Sequence, residues 1–366
     1  MLKKLKIENF RCFKSFELDH LGRVNLLVGK NNSGKTSVLE AIKLFYSESD
    51  DISSLEEIMS ERGEYLQDGE TLDISHLFYG HEFSSKKYIS ITSDKDYKFT
   101  LKFKDDELKT DLENSSHQDK LTRLTETKHD EYTDFSSFMY AIKNATTTKK
   151  INKFSTTLDF WGPPFSNLEI TNNVDFLKTK FISISSLTVY ETLELFNQIV
   201  LTSEEDLVYQ ALQIIEPNIE RIAPIGNEIK NNNSRSGFFV RLSDTQKRIP
   251  IGSMGDGIWR ILGLTLSLVS AKDGVLLVDE IDTGLHYTAL ENMWRLIWET
   301  SKKLNIQVFA TTHNSDCWKA LEALTNREDV REEDISIQRI EKDTPRSVAY
   351  NKEEIATAVE REIEVR

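Results

Sequence analysis

Gly29-Lys30-Asn31-Asn32-Ser33-Gly34-Lys35-Thr36 decides how this chain is read. The eight residues fit G-x-x-x-x-G-K-[ST] in full. A short, mostly apolar run, Val24–Val28, precedes them. After them, Val38, Leu39, Ile42, Phe45 and Tyr46 recur at helical spacing. The order is strand, glycine loop, amphipathic helix. Glycines let backbone N–H groups turn inward around phosphates, and the helix points its positive end at the same anion. In such a loop Lys35 reaches the β- and γ-phosphates, and the Thr36 hydroxyl is placed to hold Mg²⁺. Gly29, Asn31, Asn32, Ser33, Gly34 and Ser37 complete the expected nucleotide cradle.

Working outward, a second element lies far along the chain. Val275–Val278 is an apolar run ending in Asp279-Glu280. A buried parallel strand would deliver both carboxylates to its C-terminal edge, where open α/β sheets bind ligands. Asp279 is then a Mg²⁺ holder through water, and Glu280 is the base that orients the attacking water. An acidic pair after an apolar run is also what a plain strand end looks like, so the reading depends on its pairing with 29–36. Ser253-Met254-Gly255-Asp256-Gly257 opens an apolar helix and offers a second anion site, or else a glycine turn with Ser253 as N-cap. Thr311-Thr312-His313 ends the next apolar strand. There His313 is a γ-phosphate sensor, or else a capping or core histidine.

The remaining chain reads coarsely. Residues 2–8 and Phe13–Leu18 form a hairpin, and YISITSD and YKFTLKF are strands. Residues 105–135 are polar and charged, and are expected as a surface insert, mobile or only partly helical. Residues 178–185 read as a strand, 188–200 and 204–215 as helices, and 226–236 as a turn-rich break. Strands follow at Phe238–Leu242 and 248–251. A buried helix is expected over 258–269, another over Tyr287–Lys303, and a strand at Gln307–Thr311. The stretch after His313 has room for one strand pair, including 334–340, and a last helix capped by Asn351 with Glu354.

Composition sets bounds. The chain has 366 residues, 39% hydrophobic, with 60 acidic against 46 basic side chains and a formal net charge of −14. A sizeable core is affordable, and disorder is excluded. The acidic balance argues against a general polyanion binder. Lysines and arginines gather at Lys3, Lys4, Lys6, Arg11 and Lys14, and again at Lys143, Lys149, Lys150 and Lys153, as ordinary solvated faces also do. Two cysteines, Cys12 and Cys317, make no disulfide framework. No apolar run is long enough for a membrane span, and the N-terminus lacks a secretory signal's apolar stretch. A cytoplasmic protein with no membrane contact is expected.

The order of these motifs resembles ABC-type ATPases of the SMC/RecF/OLD branch. LKKLKIENFRCFKSFEL resembles the branch's opening strand pattern, GKNNSGKT its Walker A and SMGDG its signature loop. VLLVDEID resembles its Walker B, Thr283-Gly284-Leu285-His286 its D-loop, and TTH its switch-histidine segment. The resemblance covers about 1–50 and 175–350, and no Q-loop glutamine can be matched. It implies an α/β P-loop NTPase head with a mixed central sheet, an N-terminal antiparallel β lobe and a helical lobe. One head would span 1–366, with about 50–150 an elaborating insert.

It also implies ATP with Mg²⁺, and a head-to-tail homodimer or higher even oligomer with two ATP molecules between heads. Lys35, Thr36, Asp279, Glu280 and His313 would act in cis and Ser253 and Gly255 in trans, with Asp282 a further nucleotide-binding residue. Arg260, one turn into the signature helix, matches a position where the branch often has arginine, either structural or near phosphate. OLD-type nucleases continue into a Toprim domain and SMC proteins carry long coiled coils. Neither is evident here, so no separate nuclease domain is expected. Stand-alone heads of this kind resemble the ATPase components of Septu- and PARIS-like anti-phage systems, which gate a separate effector, often a nuclease. The alternatives are a RecF-like DNA-binding clamp in repair and a scaffold that binds ATP without turnover. The presence of Glu280 argues against the last, and a transporter ATPase is disfavoured.

Overall fold

Val24–Val28 is buried at every position and sits inside a sheet. The computed structural model describes all residues except 48–52, 66–71, 83–86, 96, 104–159, 162–167, 173–176, 183–186, 225–236, 245–246 and 366. Among the described residues the central sheet has six strands, in the order Val348–Tyr350, Ile335–Arg339, Val24–Val28, Gln307–Thr311, Val275–Val278, Thr179–Ile182. All neighbours run parallel except the first pair. Every parallel strand therefore ends on one edge, and Gly29, Asp279 and Thr312 leave the sheet side by side there.

Strand alternation divides the interior in two. Val24, Leu26, Val28, Leu276, Val278, Val308 and Ala310 face one core. Helices Val189–Ile199, Glu205–Leu212, Asp256–Ser270 and Tyr287–Lys303 contribute to it. Leu27, Val275, Leu277 and Phe309 face the other core, with helix Lys35–Phe45 and a five-stranded antiparallel sheet. Burying each leucine or phenylalanine there is worth roughly 1.5–3 kcal/mol, an upper bound relative to a fully extended chain. The phosphate-loop helix is thus pressed between two sheets, which fixes its start against the loop.

The expected hairpin pairs Leu5–Phe10 with Phe13–Leu18. The strands within YISITSD and YKFTLKF are Ile89–Ser93 and Lys98–Phe103, and they are integral to this lobe. Ile89–Ser93 pairs directly with Leu5–Phe10. Residues 105–135, 226–236 and the lysines 143–153 lie outside the described residues.

Several boundaries change. Within 178–185 the described strand is Thr179–Ile182. Helix Glu205–Leu212 stops before Pro217 rather than at 215. The stretch after His313 is richer than one strand pair and a helix. Short helices Ser315–Ala320 and Glu322–Thr325 precede the strands, carrying fully buried Trp318 and Leu324 into the first core. Strand Ile219–Pro224, which pairs with Phe238–Leu242, gives no clear alternation in the sequence. The last helix, Lys352–Glu360, carries the expected reciprocal cap between Asn351 and Glu354.

Candidate active site

Two glycines shape the loop. Gly29 has φ 143°, and a Cβ there would lie 2.3 Å from the Ile340 carbonyl and 2.9 Å from Ser33 Oγ. Gly34 has φ 103°, and a Cβ there would meet the Phe13 ring at 2.5 Å and Cys12 Sγ at 2.7 Å. Asn32 is left-handed at φ 60°, a region asparagine tolerates. Asn31 and Asn32 are exposed at the tip, while Ser33 is buried. Ser33 Oγ has no hydrogen-bond partner among the described residues.

Lys35 folds back over this loop. Its Nζ donates to the Gly29 and Lys30 carbonyls, each at 2.9 Å. Burial lowers the pKa of the Lys35 ammonium, and the nearby Asp279 and Glu280 carboxylates oppose that shift. Such a half-desolvated cation, hydrogen-bonded to neutral carbonyls, gains from an entering anion.

Asp279 is the junction of the site. It is 5% exposed. Thr36 Oγ1 donates to its Oδ2 at 2.9 Å, and Thr311 Oγ1 donates to its Oδ1. Thr311 also accepts from the Glu280 backbone N–H at 2.8 Å. One hydroxyl therefore holds the Asp279 carboxylate and the Glu280 backbone together. Glu280 takes φ 47°, a left-handed conformation costing about 1–3 kcal/mol for a non-glycine residue. Arg260 helps hold that turn, its Nη2 donating to the Asp279 and Glu280 carbonyls at 3.0 and 2.9 Å. Of the two roles open for Arg260, these contacts are structural. Burial lowers the Arg260 pKa, opposed by the charges of Asp282, Asp279 and Glu280.

The Glu280 side chain meets two partners. His313 Nδ1 lies 3.4 Å from Oε1, and Thr283 Oγ1 donates to Oε2 at 3.3 Å. His313 is exposed, so it is not a core histidine. Its loop is shaped by Asp282, which accepts from Thr312 Oγ1 at 2.7 Å and from Asn314 Nδ2 at 3.0 Å. Asn314 in turn caps helix Ser315–Ala320. Asp282 thus organises the histidine segment with both of its oxygens. Ser37 accepts from Arg62 Nη2 at 3.3 Å.

The structure therefore brings together 29–36, Asp279, Glu280, Asp282 and His313. It does not join Ser253 to them by any hydrogen bond among the described residues. Ser253 and Gly255 are exposed, Ser253 on a single 3-10 turn, Ile251–Met254, and Gly255 between it and helix Asp256–Ser270. The alternative of Ser253 as a helix cap is corrected. The N-cap is Gly255, at φ 92°, and no side chain caps the helix. This start lies against the D-loop: a Cβ on Gly257 would be 3.3 Å from the Gly284 carbonyl. Thr311 and Thr312, within the TTH segment, and Thr283, within TGLH, take direct part in the site, and Asn314 joins them without a mark in the sequence.

The oxygens of Thr36 and Asp279 converge as a hard divalent cation requires. Together with the glycine cradle and the Lys35 ammonium, the residues fit a nucleotide with Mg²⁺. Fold and site define a P-loop ATPase with an SMC head-like architecture. The family described as "AAA domain, putative AbiEii toxin, Type IV TA system" matches residues 24–316, and the chain belongs to it.

An "ATP/GTP phosphatase" of Helicobacter pylori is 22% identical over 351 residues, covering 90% of both chains. A "DNA replication and repair protein RecF" of Clostridioides difficile is 54% identical, but over 41 residues and 11% of each chain. A solved SMC head, crystallised with the C-winged helix domain of ScpA, shares the fold. Its TM-score is 0.50 at 12% identity, covering 96% of this chain and 97% of that one. Among the described residues no helix is long and apolar enough to cross a membrane.

Proposed function

We propose that this ATPase is a nucleotide-driven switch whose complete active site forms between two copies of the chain. The single observation that carries the reading is the division of the motifs. The phosphate loop, acidic pair and His313 are wired together by hydrogen bonds, while Ser253 and Gly255 stand exposed and unconnected to them. A head-to-tail pair would set that second helix start against nucleotide bound to the partner.

In this reading the N–H groups of 29–36 and Lys35 bind the phosphates, with Asn31, Asn32 and Ser33 shaping the cradle and Ser37 its base. Thr36 and Asp279 would hold Mg²⁺, which supplies charge neutralisation on the phosphates. Glu280 orients the attacking water and takes its proton. His313, beside Glu280, reports the state of the γ-phosphate. Asp282 acts by fixing the loop of His313. ATP then glues two heads, and hydrolysis releases them.

One head spans the chain, with the parts of about 50–150 outside strands Ile89–Ser93 and Lys98–Phe103 an elaboration within it. The work of hydrolysis is delivered to a separate effector, a nuclease, in anti-phage defence within the cytoplasm. Support comes from the toxin named in the family description. The local RecF likeness favours a second reading, a DNA-binding clamp.

The deciding experiment is affinity capture with Glu280→Gln and ATP from the native host. A co-purifying nuclease supports the effector reading. Salt-dependent duplex DNA binding without a protein partner supports the clamp. A monomer that hydrolyses ATP at full rate at every concentration overturns the composite site.

A further inference from the structure

A pair of histidines outside the ATP site is built like a metal-binding bite. Two single 3-10 turns, Ile74–Leu77 and Tyr79–His81, follow strand Leu72–Asp73. Gly80 at φ 77° and His81 at φ 57° bend the chain back on itself. The bend places His81 Nδ1 3.0 Å from His76 Nδ1, with the rings at 72°. On its other side His76 Nε2 faces Asp73 Oδ2 at 3.5 Å. Asp73 is itself fixed, since its Oδ1 accepts from the Ser75 N–H at 2.9 Å.

A carboxylate beyond a histidine is the usual outer support of an imidazole ligand. It favours the tautomer with hydrogen on Nε2 and leaves the His76 Nδ1 lone pair turned to His81. At metal–nitrogen distances near 2.05 Å, two imidazoles in cis positions of a tetragonal or octahedral ion sit ~2.9 Å apart, and in a tetrahedral site ~3.3 Å. The 3.0 Å separation, a ring N–H···N hydrogen bond without metal, puts both nitrogens within reach of one ion, and N-donor sites favour Ni²⁺ and Cu²⁺ in the divalent series. His81 is exposed and His76 half-buried, so water can complete the coordination from the His81 side.

We propose that the turn 74–81 binds one divalent transition-metal ion of the Cu²⁺/Ni²⁺ type through His76 Nδ1 and His81 Nδ1. Without the ion, His81 Nδ1–H donates to His76. On binding, that proton moves to His81 Nε2 through solvent, and both Nδ1 atoms become ligands.

The turn is also clamped to the nucleotide-loop helix. Arg11 Nη1 donates to the His76 carbonyl at 3.2 Å, and the Arg11 N–H donates to the Leu77 carbonyl at 2.8 Å. Arg11 Nε pairs with buried Glu40 of helix Lys35–Phe45 at 3.1 Å. Metal occupancy therefore bears on the helix that carries Lys35 and Thr36.

The test uses tag-free full-length protein. Cu²⁺ titration followed by electron paramagnetic resonance, and Ni²⁺ titration by calorimetry, should each show one ion per chain with nitrogen ligation. His76→Ala and His81→Asn should each weaken binding at least tenfold; asparagine keeps the left-handed backbone at 81. Asp73→Asn should weaken it by about 10-fold. Unchanged affinity and spectrum in the His76→Ala/His81→Asn double variant would overturn the site. Saturating Ni²⁺ should change the Mg²⁺-dependent ATPase rate of wild type but not of the double variant. An equal response of both would overturn the link to the nucleotide-loop helix.

Discussion

Replacing Thr311 by valine tests the wiring of the acidic pair. The side chains have nearly the same shape, so packing in this fully buried position is kept and only the hydroxyl is lost. Two groups then lose a partner: Asp279 Oδ1, which accepts from Thr311, and the Glu280 N–H, which donates to it at 2.8 Å. A buried polar group left unsatisfied costs about 1–3 kcal/mol. Asp279 keeps its 2.9 Å bond from Thr36, so the total should fall near 2–3 kcal/mol rather than at twice the single value. The left-handed turn at Glu280 also loses one of its restraints. A displacement of about 1 Å at a reacting group costs on the order of 100-fold in rate, so kcat should fall by about 10- to 100-fold.

Urea denaturation and steady-state ATP hydrolysis read the two effects separately. Thr311→Ser keeps the hydroxyl and should retain most of the activity. Wild-type stability and turnover in Thr311→Val would refute the argument that this hydroxyl positions the Asp279 carboxylate and the Glu280 backbone.

Other substitutions divide the site by role. Lys35→Ala should abolish nucleotide binding, measured by equilibrium titration. Glu280→Gln should bind ATP, stop turnover by at least 100-fold and accumulate as a dimer on size-exclusion chromatography with light scattering; hydrolysis at the wild-type rate would show that another group is the base. Mixing Lys35→Ala with Ser253→Arg should restore part of the activity through one intact composite site, and no rescue at any ratio would count against the head-to-tail pair. Away from the site, Arg327, then Trp298 and Lys302, hold the Asp329 carboxyl well below the usual carboxylate range. Its folded pKa lies under the unfolded one, so its stabilisation is full above about pH 4 and fades as pH falls further. Asp329→Asn should therefore lower the melting temperature at pH 7, with the gap to wild type closing in acid.

The sequence by itself determined the elements that local chemistry controls. The glycine pattern of 29–36, the apolar runs ending at Val28, Val278 and Thr311, and the cap at Asn351 are written in adjacent residues. The structure has them where local spacing puts them. Tertiary structure decided what depends on partners far along the chain. Gln307–Thr311 lies between Val24–Val28 and Val275–Val278, and this order alone makes Thr311 the hinge of the acidic pair. Arg260 became structural only when the start of helix Asp256–Ser270 met two strand-end carbonyls. His76 met His81 because left-handed Gly80 and His81 turn the chain back there. Backbone propensity and hydrophobic period act over a few residues and can be read along the chain. Hydrogen bonds between strand ends act across a sheet edge, and no sequence spacing encodes them.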